Sequence, residues 1–200
     1  MDNLQIGTYG WQYDSWIGGF YPEDIPVEWQ LDYYSNAYRV ILVPEQAWLS
    51  WVENEFEEIL DAVEGDFGFY FEVVDDLNSS KKEQLTKIVG IFSEAAKGVV
   101  MFSEKESREN SCCGLPVTLI SKSQVLPGWQ WQVQDFTCSG EPCGMVFELT
   151  NQPKEQTALL KSFVGGLPDE YEGAPLFVKG SDIDMTQVYS LKTIGEFLGY

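Results

Sequence analysis

An α/β barrel of the TIM type is what this 200-residue chain predicts, and three observations carry the expectation. Eight short apolar runs of strand length recur along the chain, most of them continuous rather than alternating, as parallel strands buried on both faces require. Segments with helical spacing separate several of the runs, and parallel neighbours need such crossovers. Eight parallel strands close a barrel. With 44% hydrophobic residues the chain can bury one substantial core, so residues 1–200 are expected to form a single domain.

The expected strands are QIGTYG near residue 6, RVILVP at 39–44, FGFYFEVV at 67–74, GVVMFS at 98–103, PVTLIS at 116–121, WQWQVQD at 129–135, GMVFELT at 144–150 and PLFVKG at 175–180. Between them, Trp29, Tyr33 and Ala37 are spaced i, i+4, i+8. Trp48, Val52, Phe56, Ile59 and Val63 form a stripe whose opposite face is acidic, and Leu85, Ile88, Val89, Phe92 and Ala96 form another. Leu160, Phe163 and Leu167, then Val188, Leu191, Ile194 and Leu198, complete the set. These stripes read as core-facing helix surfaces. The connections KSQVLPG and FTCSGEPCG are too short for regular helices. The barrel is therefore expected to be compact, with two or three outer helices missing in its second half, against about 250 residues for the usual form.

Charge and residue usage remove several functions. The formal charge is −20, from 12 basic and 32 acidic residues, which disfavours nucleic acid as a partner because that affinity rests on Lys and Arg displacing phosphate counterions. The start MDNLQIGTYG lacks a basic n-region and an apolar h-region, and no window approaches the ~20 apolar residues of a membrane span. A cytosolic, reducing location is expected, with the four cysteines as thiols. Cys138 and Cys143 stand at the edge of zinc-ligand spacing, but Cys112 and Cys113 are adjacent and there is no histidine, so a four-cysteine zinc site is the weaker alternative. The missing histidine also removes Ser-His-Asp, Cys-His and HExxH chemistry. Acid–base work must fall to carboxylates, Lys, Tyr or Cys. No glycine-rich phosphate fingerprint is present.

The stretch IGTYGWQYDSWIGGFYPED, residues 6–24, holds six aromatic side chains and four glycines, and WQLDYYSNAYRVILV follows it. It resembles the start of the YecE-like family, the domain of unknown function 72, whose members open on I-G-T-S-G-W-x-Y-x-x-W-x-G-x-F-Y-P. Ile6, Gly7, Thr8, Gly10, Trp11, Tyr13, Trp16, Phe20, Tyr21 and Pro22 all match. The segment PLFVKGSDIDMTQVYSLKTIGEFLG is similar to the family's last strand, polar loop and closing helix. The resemblance implies a TIM-type barrel and no established activity. It also exposes departures. ILVPEQAW stands where relatives carry E-x-N-S-T-F-Y, Glu72 occupies a family lysine position, and Glu148 and Thr150 replace an arginine and a histidine. The family's F-R-H motif has no counterpart.

In such a barrel the C-terminal strand ends carry the ligand site. Those ends offer Glu45, Glu72, Asp75, Asp76, Glu104, Asp135, Glu148, Asp182 and Asp184. Glu72, Glu148, Glu45 and Asp135 are the candidate catalytic acids. If they converge, they suit Mg²⁺ or Mn²⁺, or the carboxylate pair of glycoside hydrolysis; otherwise they simply reflect an acidic chain. Trp11, Tyr13 and Trp48 are the candidate ligand platforms, and Lys179 is the cation placed at the mouth, as a salt-bridge partner or an orienting group. No residue is assigned as a metal ligand. The leading expectation is a divergent, catalytically degenerate barrel that binds a small ligand or a protein partner. The alternative is a carboxylate-dependent hydrolase or lyase, metal-assisted or glycosidase-like. The missing helices add a further expectation, that a bare apolar strand face between residues 116 and 150 associates with a second copy.

Overall fold

The structure, a computed structural model, describes residues 4–106, 109–169, 171 and 173–200. Strand β1 (Leu4–Tyr9) leads through a long loop to α1 (Gln30–Ala37); β2 (Val40–Val43) is followed by α2 (Glu45–Ser50) and α3 (Glu53–Asp61), and β3 (Gly68–Val74) by α4 (Ser79–Phe92). Then come β4 (Ala96–Phe102), the short β5 (Ser111–Cys112), β6 (Leu115–Ser121), β7 (Trp129–Val133), β8 (Phe136–Gly140) and β9 (Gly144–Val146). The chain closes with α5 (Pro153–Val164), β10 (Ala174–Val178) and α6 (Met185–Leu198).

Nine of the strands form one curved sheet in the order β7-β8-β6-β4-β3-β2-β1-β10-β9, with β5 paired to β6 at its margin. From β9 through β10, β1, β2, β3 and β4 to β6 every neighbouring pair is parallel. The sheet curls until β9 lies beside β7, so the barrel is nearly closed.

The expectation of eight parallel strands needs correction. The place of the sixth strand is taken by the β7–β8 hairpin, whose β8 runs antiparallel to both β6 and β7. FTCSG, expected as a connection, is itself that strand. An antiparallel pair needs only a two-residue turn, here Gln134 and Asp135 with Gln134 at φ 52°, whereas a parallel pair needs a crossover that this stretch is too short to supply. Among the described residues no helix lies between the single 3-10 turn that ends at Ala95 and Pro153 at the start of α5, so the shortage of outer helices falls in the expected part of the chain.

Two helix expectations also change. In α1 the buried face is Leu31 and Tyr34, while Trp29 and Tyr33 of the expected stripe are exposed. The stripe from Trp48 to Val63 is broken into α2 and α3 because Trp51 and Val52 are extended. There the Glu55 carboxylate accepts the Val52 N–H at 2.7 Å and starts a new helix. The stripes on α4, α5 and α6 do face the core through Leu85, Ile88 and Phe92, Leu160 and Phe163, and Val188 and Leu191.

Strand parity decides what lines the barrel. Tyr70 on β3 and Phe177 on β10 are separated by two strands, yet their rings meet at 5.2 Å, so both point to the axis. Glu72, two residues on from Tyr70, shares that face. Phe69 and Phe71 point the other way and pack on Phe92 of α4. The backbones are close enough at Gly7 that a Cβ there would sit 2.4 Å from the Val40 carbonyl oxygen. Only glycine fits.

The helix-poor side is not bare. Trp129 and Trp131 of β7 pack on Phe163 of α5 and donate their indole N–H groups to the Gly166 carbonyl (2.8 Å) and the Ser162 hydroxyl (3.1 Å). Val117, Leu119, Ile120 and Val133 are buried as well. Of the large exposed hydrophobic side chains, Val125 alone falls between 116 and 150 among the described residues; Val27, Trp29, Val52, Tyr189 and Phe197 lie elsewhere. Over β7 the outer face is therefore covered by the chain's own α5.

Candidate functional site

The chemistry at the C-terminal mouth centres on three side chains. Glu72 is buried to 3% exposure, and its Oε1 accepts from the Lys179 ammonium, which follows β10. Its Oε2 accepts the Tyr9 phenol O–H at 2.7 Å and the Glu45 backbone N–H at 2.9 Å. The carboxylate is thus fully engaged, as a buried anion must be. Lys179 keeps 24% of its side chain exposed, with Nζ 3.6 Å from the centre of the Tyr9 ring and 4.5 Å from that of Phe102. Burial lowers the Lys179 pKa, and Glu72 opposes that shift. Burial and the Glu72 hydrogen bond hold the Tyr9 phenol well above its ordinary range.

The other predicted acids do not join this centre. Glu45 pairs with Lys81 at 2.7 Å and accepts the Val74 N–H at 2.9 Å. Asp76 pairs with Lys105, and Asp135, in the hairpin turn, lies 3.9 Å from Lys122 in open solvent. Asp182 accepts from Ser15, and Asp184 caps α6 through the Thr186 N–H at 2.9 Å. Glu148 is exposed. The crowded acidic cup expected from the strand ends is instead dispersed, with Glu45, Asp76 and Asp135 each facing a lysine, Asp182 a hydroxyl and Asp184 an N–H. Among the described residues no group of three or more Cys, Asp or Glu side chains is placed to hold a metal ion. That applies to the Mg²⁺ or Mn²⁺ expectation and to the cysteines alike; Cys138 and Cys143 are buried thiols, and burial raises both their pKa values, that of Cys138 to about 12.

Glu104 shows how completely a rim acid can be satisfied. Its carboxylate accepts the Ser121 hydroxyl (2.9 Å), the Ser123 hydroxyl (2.6 Å) and the Lys122 N–H (2.8 Å), and these donors, the Lys122 N–H foremost, lower its pKa from 4.5 to about 2. The folded value lies below the unfolded one, so the stabilisation is present above pH 4.5 and is lost as pH falls towards 2. Replacing Glu104 with Gln should flatten that part of the stability–pH curve, measured by urea midpoints; an unchanged slope would remove Glu104 from the account. Asp135 and Glu148, by contrast, hold nothing together. Alanine at either should change unfolding free energy by no more than about 0.5 kcal/mol, and a larger loss in urea titration would show a missing contact.

The aromatic candidates divide. Trp48 is completely buried and donates its indole N–H to the Glu72 carbonyl at 2.8 Å, so it is core and not a platform. Trp16 and Tyr21 are likewise buried, bonded through their polar tips to the carbonyls of Ile183 and Trp11, both at 2.7 Å. Trp11 and Tyr13 do line a cavity of about 250 Å³ at the mouth, together with Tyr9 and Pro44. Burial, and behind it Asp182 and Glu72, pushes the Tyr13 phenol up to about 12. A second mouth cavity of about 320 Å³ is lined by Phe147, Glu148, Lys179, Ser181 and Asp182. Tyr9 is the site residue that sequence reasoning missed; its place at the end of β1, one residue before a glycine turn at φ 71°, is the signal that could have found it.

The architecture and the site together define a mixed-sheet α/β barrel whose mouth is built on an internal lysine–glutamate–tyrosine trio. The family model described as "Protein of unknown function DUF72" matches residues 5–107, and the chain belongs to that family. The matched part ends before the β7–β8 hairpin. Among solved structures, a DUF72 family protein from Thermotoga maritima is similar in fold, with a TM-score of 0.60 at 12% identity, covering 98% of this chain and 99% of that one. No curated protein matches the chain. No helix among the described residues is long and apolar enough to cross a membrane.

Proposed function

We propose that this protein is a degenerate TIM-type barrel, one β/α unit of which has become a hairpin, and that it binds a small polar ligand at the mouth. One observation carries the reading. The Lys179 ammonium lies against the Tyr9 ring, and these two residues line the two mouth cavities, so the trio forms the junction between them. Small-molecule sites are concave, with a few convergent polar groups among apolar walls. Hydrolysis by a pair of free carboxylates, or by a carboxylate-held cation, is the less supported alternative, because Glu45, Glu72 and Asp135 each face a lysine.

The charge of −20 supports a partner that is neither nucleic acid nor an anionic membrane, and the buried thiols suit one domain in the reducing cytosol. A protein partner, or a second copy at the helix-poor face, remains the alternative occupant, and the exposed aromatics on α1 and α6 offer it a further surface. A thermal-shift screen with small polyols, carboxylates and carbonyl compounds tests the mouth. A ligand at about 100 times its dissociation constant should stabilise the wild type by about 2.7 kcal/mol and leave the Lys179→Met variant unmoved. Equal stabilisation of both proteins would place binding elsewhere.

A further inference from the structure

We propose that the mouth captures a neutral, hydroxylated aldehyde or ketone covalently, as an imine on Lys179. The inference rests on the mouth-binding reading and goes further by naming the ligand's reacting group. Four features carry it. Lys179 is a lysine inside a barrel mouth, three-quarters removed from water but still lining an open cavity of about 320 Å³. It faces a carboxylate that can take its proton and a phenol hydrogen-bonded to that carboxylate at 2.7 Å. Two aromatic faces, Tyr9 and Phe102, fix the position of its nitrogen. Burial makes the ammonium easier to deprotonate than a surface lysine, which is how lysines become nucleophiles.

The step balances without any outside reagent. Glu72 accepts one proton from the ammonium, and the free amine attacks the carbonyl carbon, forming the C–N bond while the C=O π pair moves to oxygen. Glu72 returns its proton to that oxygen, giving a carbinolamine. A second proton passes from nitrogen to oxygen by the same carboxylate, and the C–O bond breaks to release water. An ammonium and a carbonyl compound become a protonated imine and one water, with the positive charge still beside Glu72. Tyr9 holds Glu72 Oε2 throughout, so it is a positioning residue.

The walls select the ligand class. Glu148, Asp182 and Asp184 line the cavity with Lys179, so a carboxylate or phosphate on the ligand would meet like charge, while Ser181 and Gln187 offer partners to hydroxyl groups. Glyceraldehyde is the neutral probe and pyruvate the charged one.

The test incubates the full chain with each probe and sodium cyanoborohydride, and locates the reduced adduct by peptide mass spectrometry. Positioned acid–base groups contribute roughly 10²–10⁴-fold to such steps, so glyceraldehyde should label Lys179 on the order of 10²-fold faster than Lys87, which is 49% exposed. The labelling of Lys179 should also rise at lower pH than that of a free lysine side chain in solution. Lys179→Met should abolish the fast adduct. Glu72→Gln should slow it to the rate of surface lysines, and should Glu72→Gln not fold, Tyr9→Phe, checked for folding by circular dichroism, should slow it with an altered pH profile. Labelling of Lys179 no faster than Lys87 overturns the inference, and faster capture of pyruvate than of glyceraldehyde overturns the assigned class. A ligand that raises the melting temperature with no reducible adduct also overturns it, while leaving mouth binding intact.

Discussion

Alanine at Glu72 should cost about 3–5 kcal/mol of unfolding free energy, among the largest effects of any single change at the mouth. The loss has a specific origin. Removing one member of a buried ion pair leaves the other charge in low dielectric, and here it also strips partners from the Tyr9 hydroxyl and the Glu45 N–H. The 24% exposure of Lys179 allows some rehydration and should hold the loss near the lower end. This outcome opposes what a crowd of like charges would give, since relieving repulsion leaves such a variant as stable as the parent or more so. Chemical denaturation followed by tryptophan fluorescence distinguishes the two. An alanine variant at least as stable as wild type would mean that Glu72 and Lys179 do not pair.

The second large effect belongs to Trp48. Truncation of a buried tryptophan to alanine costs about 3–5 kcal/mol, and loss of its N–H leaves the Glu72 carbonyl without that donor, adding about 1–3 kcal/mol. Phenylalanine should restore most of the packing and lose mainly the hydrogen bond. The order wild type, Trp48→Phe, Trp48→Ala in urea midpoints is therefore expected, with a wide gap before the last. If Trp48→Ala retained the stability of the parent and lost only ligand affinity, Trp48 would be a binding platform after all.

Much of the frame was legible in the chain because it rests on local patterns. In FGFYFE the alternation that puts Phe69 and Phe71 outside also puts Tyr70 and Glu72 inside, and the apolar runs mark the parallel strands. The hairpin was not legible. Its turn, Gln134–Asp135, lacks the Asn-Gly or Gly-X pair that usually announces one, and WQWQV carries the same alternation in either strand direction. The break between α2 and α3 was hidden for a related reason, since the Glu55 carboxylate that makes it can act only once Val52 is extended.

The site was half visible. Strand ends place nine acids near the mouth, but whether they repel or pair depends on lysines that arrive from distant elements. Lys81 comes from 36 residues beyond Glu45, Lys105 from 29 beyond Asp76 and Lys179 from 107 beyond Glu72. No local spacing encodes those meetings. The family signature at the N-terminus likewise identifies the frame and says nothing of the pairing, because the aromatics it places, Trp16 and Tyr21 above all, are consumed in packing the first loop.

A double-mutant cycle on Glu72 and Lys179 tests most directly whether the mouth is organised by an internal ion pair. Unfolding free energies are measured for the parent, Glu72→Met, Lys179→Met and the double variant. Each single change should be destabilising, and the double variant should recover much of the loss, because two apolar side chains replace a buried pair at little net cost. The coupling energy should fall at about 1–3 kcal/mol. Additivity within about 0.5 kcal/mol would contradict the account, since it would mean that the two residues act independently and that the mouth has no trio at its centre.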